Sequence, residues 1–211
     1  MSEPMVSPLL AVPVPVHMWP KSAHLVRAAS HAQGGLLVIG VATPMSAQRE
    51  VGRERIRIAV RQTLGALLGR PPDTIALISA PGRPLRADLP DHRIGLSISH
   101  EPGLALAAIC VRGAVGIDLM RIEEQTGGEQ NWQAVARDYL SSRAFARIAA
   151  HPPALRPLAF AQEWTRHEAC LKCHGLALTE WHPALEYDIG RCRMSALDLP
   201  AGLVGTVATC G

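Results

Sequence analysis

Three short segments of this chain hold residues able to do chemistry together: residues 97–100 (SISH), 116–122 (GIDLMRI) and 164–175 (WTRHEACLKCHG). Asp118 stands in an apolar, strand-like run. An unpaired carboxylate is costly to bury there, so it needs a cation, a helix N-terminus or hydrogen-bond donors as partner. Taken alone, it is equally a structural carboxylate. Trp164, Glu168 and Lys172 recur at i, i+4 and i+8, with His167, Leu171 and Gly175 adjoining, so one side of a helix presents an acid, a base and a histidine. Glu168 and Lys172 by themselves match a solvated surface pair, but Trp164 and Leu171 on the same side turn it inward. Cys170 to His174 also spells C-x-x-C-H, a pattern of haem attachment, zinc or redox sites. Haem attachment needs an exported chain, and zinc needs further ligands that no second C-x-x-C supplies. The match also lies in a helix with another explanation, so all three are set aside. His167-Glu168 starts an H-E-x-x-H pattern but meets Leu171 where the second histidine must stand.

The elements that must position these residues follow from periodicity. Over residues 49–68, Ile56, Val60, Leu64 and Leu67 recur at helical spacing while Arg53, Arg57 and Arg61 share another face, which predicts an amphipathic helix ended by Gly69. The arginine stripe is either a solvated face or a landing surface for phosphates or an acidic protein helix. Residues 35–41, 75–78 and 95–99 read as strands, and residues 104–111 and 115–119 as a hairpin through Arg112-Gly113-Ala114. Helices are expected over 131–139, 142–150 and 158–174, the last ended by Gly175, before the chain returns to short strands. A helix followed by strands thus occurs twice, and GLALAAIC from Gly103 rhymes weakly with GLVGTVAT from Gly202.

Composition narrows the function classes. A chain of 211 residues makes one large domain or two fused halves. With 48% hydrophobic and 18% charged residues it is globular, and its 17 prolines crowd the N-terminal third, so the folded part is expected to begin late. A net charge of +3 is too small for duplex nucleic acid but suits an anionic small molecule or an acidic partner. Two phenylalanines and two tyrosines are too few for a base-stacking platform. No stretch approaches the roughly 20 apolar residues of a membrane span. Pro4, Pro8, Pro13 and Pro15 break the apolar start, and no basic residue precedes it, so no signal peptide is expected. Five cysteines, an odd number, suit reduced thiols and a cytoplasmic location.

In its ordered motifs the chain resembles the 4'-phosphopantetheinyl transferase superfamily. Members carry a Gly-Ile/Val-Asp strand and, downstream, a helix reading roughly Trp-x-x-Lys-Glu-x-x-x-Lys-x-x-Gly. The larger of the two main types, which activates peptide and polyketide synthetases, adds a Ser-His pair and a Gly-Lys-Pro turn upstream. This chain has Ser99-His100 and Gly82-Arg83-Pro84 at those places, so the resemblance spans about residues 50–211. It implies that Asp118 and Glu168 bind Mg2+, completed by the pyrophosphate of coenzyme A. Lys172 would neutralise that pyrophosphate as 3',5'-ADP departs. Ser99, His100, Arg83 and His167 would face the coenzyme, and Arg53 is a looser assignment. The implied reaction is attack by a serine hydroxyl of an apo acyl or peptidyl carrier protein on the β-phosphorus of coenzyme A. Glu168 or a metal-bound water would take the proton.

Three positions depart from the family pattern. Met120 stands where the larger type has a third acidic ligand, His167 replaces a lysine, and Glu101 follows Ser99-His100 in place of a second serine. They motivate the alternative of a catalytically weakened or inactive module that binds coenzyme A or a carrier protein. The resemblance further implies an α+β fold of two similar halves, a pseudo-dimer in which each half packs a long helix on a small antiparallel sheet. The expected organisation is a proline-rich segment over 1–34 and halves over 35–113 and 114–211. Coenzyme A and Mg2+ would lie between the halves, and the chain would work as a monomer because it supplies both.

Overall fold

Residues Leu104–Cys110 are apolar at seven successive positions, and all seven are buried, as in a strand covered on both faces rather than one that alternates. In the computed structural model, which describes residues 12–20, 26–46, 49–80, 84–89, 94–122 and 132–210, that strand lies near the middle of a layered α+β architecture. The described elements run β1 (Val14–Pro15), β2 (His17–Met18), α1 (Val26–Ala32), β3 (Leu36–Ala42), α2 (Arg49–Leu68), β4 (Leu77–Ile78), β5 (Arg86–Ala87), β6 (Gly95–Glu101), β7 (Leu104–Cys110) and β8 (Val115–Arg121). They continue through α3 (Trp132–Tyr139), α4 (Ser142–Ala150), α5 (Arg156–His174), α6 (Pro183–Ile189), β9 (Arg193–Asp198) and β10 (Leu203–Thr209).

Two mixed four-stranded sheets carry the fold, in the orders β2-β3-β7-β6 and β1-β9-β10-β8; β4 and β5 form a separate ribbon. The first sheet buries Leu37, Ile39, Ala105, Ala107 and Ile109 against Ile56, Val60 and Leu64 of α2. Its other side gives Val38, Leu104, Leu106 and Ala108, which meet Val115, Ile117 and Leu119 of β8 and Val207 of β10. The far side of the second sheet receives α5, with Ala169, Cys170 and Cys173 packed by Ala208. The layers therefore run α2, first sheet, second sheet, α5, and each strand's alternation divides its side chains between two interfaces.

Helix α2 matches its periodicity over Arg49–Leu68, but the expected hairpin of residues 104–111 with 115–119 does not form. β7 pairs with β6 and β3, while β8 pairs with β10, with Asp118 opposite Thr206. The Arg112-Gly113-Ala114 link carries the chain from one sheet to the other, and the hairpin is β6–β7, turning at Pro102-Gly103. The edges of the two sheets meet at β6 and β8, joined by side chains. Ile117 N–H donates to Ser97 Oγ at 3.1 Å and Leu119 N–H to Ser99 Oγ at 3.2 Å. Two seryl oxygens thereby satisfy buried edge amides that would otherwise lack acceptors.

The folded part also begins earlier than the prolines suggest. β1 pairs in parallel with β9, and β2 with β3, so residues 14–18 join one sheet and then the other. The region after Gly175 includes helix α6, which the short-strand expectation omits. No described helix is long and apolar enough to cross a membrane.

Candidate active site

The site begins with Gly116, two residues before Asp118. A Cβ at Gly116 would strike the Ala169 carbonyl oxygen and come within 2.5 Å of Cys173 N. Glycine is therefore what lets the backbone of α5 lie directly on β8. Asp118 projects on the same side of the strand as Gly116, and the close approach sets Glu168 and Lys172, one helical turn apart, over it.

Asp118 is 6% exposed, yet it is well supplied with donors. Lys172 Nζ donates to its Oδ1 at 2.6 Å, and Ser99 Oγ donates to the same oxygen at 3.0 Å. Lys172 Nζ also lies 3.7 Å from Glu168 Oε2, so one ammonium bridges two carboxylates from different elements. Burial raises the Glu168 carboxyl pKa above its ordinary value; Lys172 opposes this shift and Asp118 adds to it.

The end of α5 is fixed by Gly175, in the left-handed region at φ 69°. Its N–H reaches Leu171 and Lys172 carbonyls, and Leu176 N–H returns to Leu171 O at 2.9 Å. This cap holds Lys172 at the mouth of a cleft of about 260 Å³. Glu168, Lys172 and Gly175 form one wall; Leu96, Ser97 and Ile98 of β6 form the other, with Pro84 and Leu85 between. A neighbouring hollow of about 480 Å³ shares Pro84, Leu96 and Lys172 and adds Arg86. The cleft thus has apolar surface along its length and an acid–base pair at one end.

The other expected site residues fall in different places. Ser99 holds both Asp118 and the β8 backbone. His100 is half-buried on β6 and projects on the same side as Ile98, which lines the cleft. Arg83 lies outside the described residues, although Pro84 beside it lines the cleft. Arg53 lines neither hollow; it is exposed on α2 and paired with Glu50 at 3.1 Å. His167, next to Glu168 in sequence, is turned about 100° around the helix. It is 7% exposed and lines a separate cavity of about 350 Å³ with Cys170 and Trp181. Burial lowers its pKa, and its ring lies 6.4 Å from that of Trp164.

Met120 packs against a cluster of Ala136, Leu140, Ile148 and Phe160 from the helices outside the second sheet. Its thioether fills apolar space two residues beyond Asp118. Sequence reasoning passed over Ser97 and Gly116. The alternation Ser97-Ile98-Ser99 within a buried strand was the available signal for the first. The glycine opening an apolar strand was the signal for the second.

Residues 114–197 match the model of the 4'-phosphopantetheinyl transferase superfamily. The matched span holds Gly116, Asp118, Met120, His167, Glu168 and Lys172. No curated protein matches the chain.

Proposed function

We propose, from the superfamily match over residues 114–197 and the Asp118–Lys172–Glu168 arrangement within it, that the chain transfers 4'-phosphopantetheine from coenzyme A to a serine of an acyl or peptidyl carrier protein, releasing 3',5'-ADP. The observation that carries this reading is the bridging ammonium. Two carboxylates that converge on one cation, from a strand and a helix bordering a cleft, offer the hard oxygen donors that Mg2+ takes. Asp118 and Glu168 are the residues that would hold the ion. When bound, Mg2+ supplies charge neutralisation to the pyrophosphate of coenzyme A.

The chain's own groups do the rest. Lys172 shifts from its carboxylate partners toward the pyrophosphate and balances the charge that develops on the departing 3',5'-ADP. The carrier serine oxygen bonds to the β-phosphorus as the bond from that phosphorus to the leaving oxygen breaks, and the serine proton passes to Glu168. A carboxylate is a base that such a step can use, with a metal-bound water as the other candidate, and general-base help of this kind is worth about 10²–10⁴-fold. Ser99 holds Asp118 in orientation, His100 serves the nucleotide phosphates, as the family resemblance also implies for Arg83, and Arg53 serves an acidic surface of the carrier. His167 packs behind the site rather than touching the coenzyme. The two sheets with their long helices are the two halves of a pseudo-dimer, split near residue 113, and the chain works as a monomer of the larger type.

Incubating the protein with Mg2+, coenzyme A and a panel of apo carrier proteins, then weighing the carriers, tests this reading. The expected result is a gain of one phosphopantetheinyl group on at least one carrier. Coenzyme A binding with no mass gain on any carrier would instead assign the chain to the non-catalytic alternative that the apolar Met120 favours.

A further inference from the structure

Outside the cleft, the other face of the α5 C-terminus gathers thiols from three parts of the chain. Sγ of Cys173 lies 2.7 Å from Sγ of Cys210, which lies 3.0 Å from Sγ of Cys192. His174 Nε2 is 3.4 Å from Cys192 Sγ and 3.5 Å from Cys210 Sγ. Cys173 and His174 end α5, Cys192 lies between α6 and β9, and Cys210 follows β10. The three sulfurs all lie within 4.8 Å of one another. The further ligands whose absence led the C-x-x-C-H segment to be set aside come from far along the chain, so no second C-x-x-C is needed.

We propose that Cys173, Cys192, Cys210 and His174 form a tetrahedral site for a structural zinc ion. Three thiolates and one imidazole are a characteristic closed zinc set, whereas Mg2+ avoids sulfur. A nitrogen and a sulfur at zinc-bond lengths of about 2.05 and 2.3 Å stand about 3.6 Å apart at the tetrahedral angle. His174 Nε2 meets that distance for Cys192 and Cys210, at 3.4 and 3.5 Å, but stands farther from Cys173, outside the 4.8 Å that encloses the three sulfurs, so the ring and Cys173 draw together when the ion binds. Two zinc-bound sulfurs stand about 3.8 Å apart, so the thiols open by about 1 Å to admit the ion. Binding releases three thiol protons to solvent and leaves one negative charge, with Arg191 and Arg193 flanking Cys192 in sequence. The ion would pin the end of α5 to β10 and to the chain entering β9. Lys172 immediately precedes Cys173, so the same clamp steadies the cleft wall. The proposal does not depend on the transfer reaction.

The full chain, purified under reducing conditions without chelator and reconstituted with Zn2+, should hold one zinc per chain by mass spectrometry of the metal. Excess Mg2+ should not displace it. Replacement by Co2+ should give a thiolate-to-metal charge-transfer band and the intense visible absorption of tetrahedral cobalt. Cys192→Ser should reduce bound zinc at least tenfold. Because a buried thiol cluster can be needed for folding, His174→Ala on an exposed residue serves as the second variant. It should weaken zinc at least tenfold and alter the cobalt spectrum while circular dichroism stays unchanged. Zinc below about 0.1 per chain after reconstitution, or recovery of Cys173 and Cys210 as a disulfide under the same conditions, would overturn the site. An unaltered cobalt spectrum in His174→Ala would overturn the ligand set.

Discussion

Glu168, to which a role in transfer is proposed above, occupies a position that costs stability. Its carboxyl pKa is raised by burial above 4.5, so the folded chain binds that proton more tightly than the unfolded chain does. The stability this contributes is fully present below about pH 4.5 and is lost as pH rises through the folded-state pKa. Glu168→Gln removes that loss, so the metal-free variant should melt higher than the parent near pH 7, with the difference closing toward pH 4. Its transfer rate should fall by about 10²–10⁴-fold. Thermal melts across pH and carrier loading measure the two effects, and an equal melting point at both pH values would refute the burial argument. Asp118→Ala should also abolish transfer, by at least about 100-fold, because it removes one of the two carboxylates that Lys172 bridges. Normal turnover in that variant would sink the metal assignment. Met120 presents the opposite case. Met120→Glu, which on sequence grounds restores a ligand, places a carboxylate against Leu140, Ile148 and Phe160. It should cost about 1–3 kcal/mol, read as a fall of several degrees in melting temperature.

At the scale of elements, the contact between β8 and α5 sets the site, and its tolerance is small. Gly116→Ala inserts a methyl group where the Ala169 carbonyl already sits and where Cys173 N would be 2.5 Å away. Backbone on both sides cannot yield as a flexible side chain would. The variant should lose about 1–3 kcal/mol or more and lift Glu168 and Lys172 away from Asp118, lowering kcat as well as melting temperature. Assays at a temperature where the variant is fully folded separate the two effects. The helices α2 and α5 were legible because a long apolar stripe has only one satisfying period. The partner of β8 was not. A short link between two apolar runs reads the same whether they pair in one sheet or face each other in two. Only the seryl hydroxyls of Ser97 and Ser99, which accept the Ile117 and Leu119 amides, distinguish the second case. β1 and β2, at two residues each, are too short to show any period. The acid and base on α5, Glu168 and Lys172, were legible as types and spacing. Sequence spacing set His167 beside Glu168, whereas successive residues on a helix diverge by about 100°, and the structure places His167 on a separate cavity. The thiol cluster was invisible for another reason, since Cys192 and Cys210 approach Cys173 only through tertiary packing.

For the whole molecule, the question is whether residues 114–211, which contain Asp118, Glu168 and Lys172, can stand alone. The layering argues that they cannot. Val115, Ile117, Leu119, Leu197 and Val207 are all buried, and they share one cluster with Val38, Leu104, Leu106 and Ala108 from the other sheet. Removing that cover would expose apolar side chains worth about 1.5–3 kcal/mol each, or about 7–15 kcal/mol for the five. The whole stability of a domain is about 5–15 kcal/mol. The fragment would also lose the β1 strand that pairs with β9, and the acceptors Ser97 and Ser99 that satisfy β8. Expressed alone, residues 114–211 should therefore aggregate or bind a hydrophobic dye without cooperative melting, while the intact chain melts in one transition. Co-expression with residues 1–113 should recover soluble complex and transfer activity, because the missing surface is supplied in trans. A fragment that folds and melts cooperatively alone would show that the buried layer between the sheets stabilises the domain far less than its area implies.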